Sequence, residues 1–247
     1  MVASVTFMCS PVGLHHLALG FLISEGVIGG LADLWQLKVH LDKHRVYMIF
    51  AEVGLNGELR MHSCEESVGS ITVRLRQATP ERNGRRVLTS GCGGGVTFDD
   101  LAGDRPPLIS DLQLSAAQVA GLMQMLNQAA GLYRSSRGVH TSALAEPDAL
   151  LVLAEDVGRH NTLDKICGAC LLDAIPTRDR ILVSSGRISS EMITKAYNMQ
   201  APIVISHTSP TVMSIRLAQA WNITLIGYVR GRRLRVYAGA ERVRFGS

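Results

Sequence analysis

The 247 residues are 47% hydrophobic, ample for a core, and leave room for one large domain or two modest ones. Nothing approaches a membrane span. The apolar stretch near the N-terminus lacks the basic start of a signal peptide and contains His15, His16 and Glu25. Five cysteines (9, 64, 92, 167 and 170) are an odd number and follow no secreted-scaffold spacing, so a cytoplasmic location is expected. The net charge of +4 is unevenly spread. Arg230, Arg232, Arg233, Arg235, Arg242 and Arg244 crowd the C-terminus against one acid, Glu241. That run suits a polyanionic partner or a strand edge kept soluble by charge.

Ser10-Pro11 reads as the N-cap and first position of a helix whose apolar face is Leu14, Leu17, Ala18, Phe21 and Leu22, with Gly26 near its end. Strands are expected at 36–41 and 45–50, joined as a hairpin through the polar Asp42-Lys43-His44. A third strand at 70–76 alternates Ile71, Val73 and Leu75 with polar neighbours. Residues 89–97, TSGCGGGVT, form a flexible loop around Cys92, and 99–109 read as a linker. Ser115 caps a helix running to about Tyr133, and 139–144 is a strand.

The stretch 149–172 sets the pattern of the C-terminal half. A buried strand at 149–154 leads into EDVGRHN and a helix with Leu163, Ile166, Cys167, Cys170 and Leu171 on one face. Asn161 is the expected N-cap, with Asp164 in the first turn. The theme repeats: 180–184 leads to SGRISS and a helix at 191–199. The strand at 202–206 leads to HTSPT and a helix capped by Ser209 and Pro210. A closing hairpin turns at Gly231 between strands at 224–230 and 234–238.

These units predict an α/β fold, a mixed sheet with flanking helices, behind a smaller N-terminal α+β domain, divided as 1–107 and 108–247. Their loops lie at strand carboxyl ends and would gather Asp156, Gly158, Arg159, His160, Asn161, Ser185, Gly186, Arg187, Ser189, His207 and Ser209 around one phosphate-binding crevice.

Cys92 has no side chains beside it to bury it, which marks it as a reactive thiol on a mobile tether. Cys167 and Cys170 match C-x-x-C, but they lie well inside a helix on its apolar face, so packing is their expected role. No zinc is expected: His62-Ser-Cys-Glu65 misses the deaminase spacing and no proline precedes Cys167. GxGxxG and GxxxxGK[ST] are both absent.

LALGFLISEGVI, GVHTSAL, AEDVGRHNTLDKICG, SSGRISSEMITKA, SHTSPTVMSIRLA and ITLIGYVRGRRLRVYAG, in that order from Leu17 to Gly239, resemble the blocks of the formate dehydrogenase accessory sulfurtransferases. The resemblance implies a cytidine deaminase-like C-terminal domain without zinc, in a homodimer. It implies sulfur taken from a cysteine desulfurase as a Cys92 persulfide and delivered to the bis-molybdopterin guanine dinucleotide cofactor, molybdenum or tungsten, of formate dehydrogenase. It places cofactor binding at Tyr228, Val229, Arg230, Gly231, Arg232 and Arg233, with no nucleic-acid or membrane partner. Many members carry a second loop cysteine where this chain has Gly95, which leaves a one-cysteine carrier. Two other readings compete. One is a chaperone that binds the cofactor or a guanine nucleotide and transfers nothing. The other is a hydrolase using His160 with Asp156 or Glu155.

Overall fold

The computed structural model describes residues 4–41, 49–53, 58–62, 69–75, 103, 105–231 and 233–245. Its contacts divide the chain into two units that are not contiguous in sequence. Met1–Cys92 with Asp156–Ile175 form one; Gly93–Glu155 with Pro176–Ser247 form the other. This differs from a division at 107, because the helix after EDVGRHN packs in the first unit.

In the first unit, β1 (Ser4–Phe7), β2 (Leu34–Leu41), β3 (Ile49–Val53), β4 (Glu58–His62) and β5 (Gly69–Leu75) form an antiparallel sheet ordered β1-β3-β4-β5-β2. The expected β2–β3 hairpin is therefore corrected. β2 pairs with β5, setting Leu37 opposite Val73, while β3 pairs with β1 and β4. Helix α1 (Leu14–Ser24) lays Leu14, Leu17, Phe21 and Leu22 into a core with Phe7, Ile28 and Val73. Phe7 meets Phe21 edge to face, with ring centroids 4.7 Å apart. The N-cap is Gly13, in the left-handed region at φ 65°, and not Ser10. Ser10 is engaged elsewhere: its hydroxyl accepts from Val157 N and its own N–H donates to Asp156.

In the second unit, β6 (Leu114–Ser115) runs into α2 (Ala116–Ala129). Ser115 caps it in a reciprocal capping box with Gln118. The single helix expected to reach Tyr133 breaks at Ala130, and α3 (Gly131–Ser136) starts anew. Its first amides, Leu132 N and Tyr133 N, donate to the Glu155 carboxylate at 2.7 and 2.9 Å. A turn at Pro147-Asp148 separates β7 (His140–Glu146) from β8 (Ala149–Asp156).

The first-unit helix α4 (Arg159–Leu172) intervenes in the chain. Back in the second unit come β9 (Ile181–Ser184), α5 (Ser190–Asn198), β10 (Ile203–Ser206), α6 (Val212–Ala220), β11 (Thr224–Arg230), β12 (Arg233–Ala238) and β13 (Val243–Arg244). The main sheet is ordered β12-β11-β10-β9-β7-β8. β9, β10 and β11 are parallel, and β7 and β12 run opposite to them. A short β6–β13 pair is parallel.

Alternate strand residues point to opposite faces. Ala143, Ile181, Val183, Ile203, Ile205 and Ile226 pack with Val119, Leu122 and Leu126 of α2. Leu144, Leu182, Val204 and Leu225, on the other face, are also buried. A sheet covered on both faces is what the apolar runs 180–184 and 202–206 predict. β8 departs from its expected burial: it is an edge strand, and Leu151 stays 37% exposed.

Candidate cofactor-binding site

In the second unit, the loops leaving β9 and β10 are fastened to each other by backbone and hydroxyl groups. Buried Ser142 donates to the Ser184 hydroxyl at 2.9 Å, and Gly186 N donates to the same oxygen. Ser206 donates to Gly186 O at 2.7 Å, and His207 N donates to Ser184 O. Further along, Ile188 N donates to Ser209 O and Thr211 N to Ile188 O. The β10 loop then meets β11, where Tyr228 N donates to Thr208 O. A Cβ on Gly227 would come within 2.8 Å of that carbonyl oxygen, so a side chain there would part the loop from the strand.

Thr211, not Ser209, caps α6, its hydroxyl accepting from Ser214 N, and Ser189 caps α5, accepting from Met192 N.

Beside this frame lies a cleft of about 340 Å³. Ser185 and His207 line it from the strand ends, Tyr133 and Arg137 from α3 and its C-cap, and His140 and Thr141 from β7. Ser185 is held by Thr141: Thr141 N donates to the Ser185 hydroxyl and Ser185 N to Thr141 O, at 2.9 and 2.8 Å. Glu155 accepts from the Thr141 hydroxyl at 3.0 Å and, through Leu132 and Tyr133, fixes the start of α3. The Arg137 guanidinium lies 5.4 Å from the Tyr133 ring centroid. His207 Nδ1 is buried and has no hydrogen-bond partner among the described residues.

Of the expected site residues, Ser185 and His207 line this cleft, while the exposed Arg187 lies outside its lining. Gly186 is buried, with its N–H and carbonyl both engaged in the loop frame. Asn127, Tyr133, Arg137 and His140 were missed because they follow no strand carboxyl end.

In the hairpin, Arg230 and Arg233 stand directly opposite across the ladder, both exposed. Tyr228 lies in the left-handed region at φ 52°, within a register shift between Gly227 and Arg230. The Arg235 guanidinium lies 4.8 Å from its ring centroid. Gly231 makes the turn at φ 57°, and Val229 is a core residue, 1% exposed, so its side chain is withdrawn from any ligand. The basic run thus splits by role. Arg242 is buried against Asn222 and Thr224, and Arg244 donates to Gln113, while Arg230, Arg233 and Arg235 remain at the surface. Arg232 lies outside the described residues.

The EDVGRHN residues from Asp156 onward belong to the first unit. Asp156 is fully buried and accepts from Ser10 N, Gly158 N and Asn161 Nδ2 while pairing with Lys165 Nζ at 2.6 Å. Its oxygens are occupied by the protein's own donors. This leaves no lone pair for the general-base role the hydrolase reading needs, and Glu155 is engaged likewise. Gly158, not Asn161, is the N-cap of α4; the Asn161 amide also donates to Met8 O. Asp164 is buried beyond the first turn and accepts from Ser24. His160 is buried in α4, and Arg159 keeps a buried Nε without a partner among the described residues.

Cys9, Cys167 and Cys170 are buried and form no disulfide among the described residues. Burial, with Asp156 adding and Lys165 opposing, pushes the Cys9 thiol up to about 12; burial and Asp173 push Cys170 up to about 11. Cys92 lies outside the described residues. Among the described residues, no three His, Cys, Asp or Glu side chains are grouped to hold a metal ion, and no helix is long and apolar enough to cross a membrane.

The fold and cleft define a mixed α/β protein with a cation-bearing cleft at strand carboxyl ends. The model of the FdhD/NarQ family matches residues 2–244, and the chain belongs to that family. It is 35% identical to the sulfur carrier protein FdhD of Bacillus pumilus and 34% identical to that of Bacillus subtilis, in each case over 97% of this chain and 84% of the relative. A solved structure from Desulfotalea psychrophila, described as a formate dehydrogenase accessory protein, superposes with a TM-score of 0.69. It covers 99% of this chain and 90% of its own at 22% identity, and so shares the fold.

Proposed function

We propose that this protein is a sulfur carrier, working as a homodimer on a cytidine deaminase-like scaffold in the cytoplasm, that serves formate dehydrogenase. Cys92 accepts sulfur from a cysteine desulfurase. Its thiolate attacks the outer sulfur of the donor's persulfide, the donor S–S bond breaks, and the donor cysteine leaves as a thiolate. The substrate that receives the sulfur is the bis-molybdopterin guanine dinucleotide cofactor, molybdenum or tungsten. Handing sulfur on as sulfide takes two electrons, from a thiol reductant or from the reduced metal centre, and frees the Cys92 thiolate.

The observation that carries this reading is the state of the other thiols among the described residues, which do not include Cys64. Cys9, Cys167 and Cys170 are buried, and Cys9 and Cys170 are held protonated far above neutral pH, which disqualifies nucleophiles that must meet a protein donor. Cys92 sits among four glycines. The names of the relatives support sulfur carriage. The exposed Arg230 and Arg233 and the cleft at Ser185 and His207 suit a substrate with two pyrophosphates.

Intact-mass measurement after incubation with a cysteine desulfurase and cysteine tests it. One added sulfur is expected, absent in Cys92→Ala. Sulfur that persists in that variant on Cys167 or Cys170 refutes the assignment.

A further inference from the structure

We propose that the outer edge of β8 is where a second copy of this chain docks, strand to antiparallel strand, about a two-fold axis at Leu151. β8 is the last strand of the main sheet, next to β7 and open on its other side. An open edge presents unpaired N–H and C=O groups and templates another strand unless shortness, charge, proline or irregular pairing blunts it. The other edges of the two larger sheets are blunted. β1 has four residues, and β2 exposes Lys38. β12 exposes Arg233 and Arg235, and its pairing with β11 shifts register. β8 runs for eight residues, and its first six, ALLVLA, carry no charge and no proline. Ala149 and Leu151 are exposed in the complete fold, while Leu150, Val152 and Leu153 are half-buried.

Charge selects the register. Facing residues of an antiparallel pair point to the same side of the sheet, so a two-fold axis normal to it sets one residue opposite its own mate. With Leu151 on the axis, Ala149 faces Leu153 of the second copy and Leu150 faces Val152, and each of these pairs is apolar. With Val152 on the axis, Ala149 would face Glu155 and Asp148 would face Asp156. These acids are committed within their own fold, Asp148 to Gln118, Glu155 to Leu132 N and Tyr133 N, and Asp156 to Lys165. The Leu151 register is thus self-complementary, as an isologous dimer requires. The homodimer belongs to the preceding reading, on which this seam rests.

Sedimentation of the full chain tests the seam. The unaltered protein is expected at twice the chain mass. Leu151→Arg sets two like charges face to face on the axis and should raise the dimer dissociation constant about tenfold or more. Leu151 is 37% exposed, so that variant is expected to keep the parent's far-ultraviolet dichroism. Residues directly opposite lie about 4.5–5.5 Å apart, within disulfide reach. Leu151→Cys should therefore cross-link into a dimer under mild oxidation, faster than Val212→Cys, a control at an exposed position on α6. A Leu151→Arg protein that stays dimeric overturns the proposal, as does a Leu151→Cys protein that cross-links no faster than the control. So does a monomeric parent, which would leave the edge to a strand of another protein. Sulfur acceptance is read on the same samples by mass. A monomer that still loads sulfur on Cys92 removes the dimer and leaves the carrier, so the two failures remain distinguishable.

Discussion

Replacing Gly168 by alanine should destabilise the protein, although alanine is the better helix former. In α4, a Cβ at Gly168 would sit 2.0 Å from His16 O and 2.9 Å from Gly20 N of α1. The reciprocal Cβ at Gly20 would sit 1.8 Å from Asp164 O. The obstacles are backbone atoms, which cannot rotate away. Reaching ordinary contact at 3.4 Å requires the helices to part by about 1.4 Å (3.4 less 2.0) along that line. Overpacking costs about 1–3 kcal/mol and more when backbone must move. The gain in helix propensity returns about 1 kcal/mol. The net loss is therefore about 2 kcal/mol, or roughly 4–8 °C in Tm for a chain of this length. Gly121 in α2 has open space where its Cβ would go. Gly121→Ala should raise stability by about 0.5–1 kcal/mol. Thermal melts of both variants beside the parent decide the matter. A Gly168→Ala protein as stable as Gly121→Ala would refute the close helix crossing.

Lys165→Met removes the partner of a fully buried carboxylate and should cost about 3–5 kcal/mol in guanidinium denaturation; a change under about 1 kcal/mol would show that Asp156 does not depend on the pair. Cys9 and Cys170 ionise near the ordinary 9.0 once unfolded, but only at about 12 and about 11 in the fold. Stability present at neutral pH should therefore fall as pH rises above 9, by about 1.4 kcal/mol per pH unit for each thiol while its folded form stays protonated. Cys9→Ala and Cys170→Ala should each flatten the slope, and parental slopes in both would contradict the shifts. Timed iodoacetamide labelling at neutral pH should modify Cys92 before Cys9, Cys167 and Cys170. Equal rates would place the buried thiols at the surface.

Where the pattern is local and periodic, the sequence was legible. PIVIS and RILVS became β10 and β9, Ser115 caps its helix, and the hairpin turns at Gly231. The misses share one cause, a residue with good local chemistry recruited by a distant partner. Ser10 looks like a cap but binds Val157 and Asp156; Asn161 looks like a cap but binds Met8 and Asp156. Pro210 precedes the true cap, Thr211, because it lies in a bridge with Ile188. Ala130 carries no helix-stop signal; α3 restarts there because Glu155, twenty-odd residues on, accepts its first amides. The β2–β5 pairing beat the nearer hairpin in the same way. Ser185 and His207 could be read as site residues from their place after strands. Tyr133 and Arg137 could not, since only the fold brings α3 to the cleft.

The most direct measurement isolates the protein after loading with sulfur by a cysteine desulfurase, removes the donor, and adds the unsulfurated cofactor, a thiol reductant and formate dehydrogenase that lacks its cofactor. Peptide mapping should show sulfur leaving Cys92 as dehydrogenase activity rises, with neither change in Cys92→Ala. Activity that rises equally with the Cys92→Ala protein, or sulfur that stays on Cys92 while activity appears, would contradict carriage by this thiol.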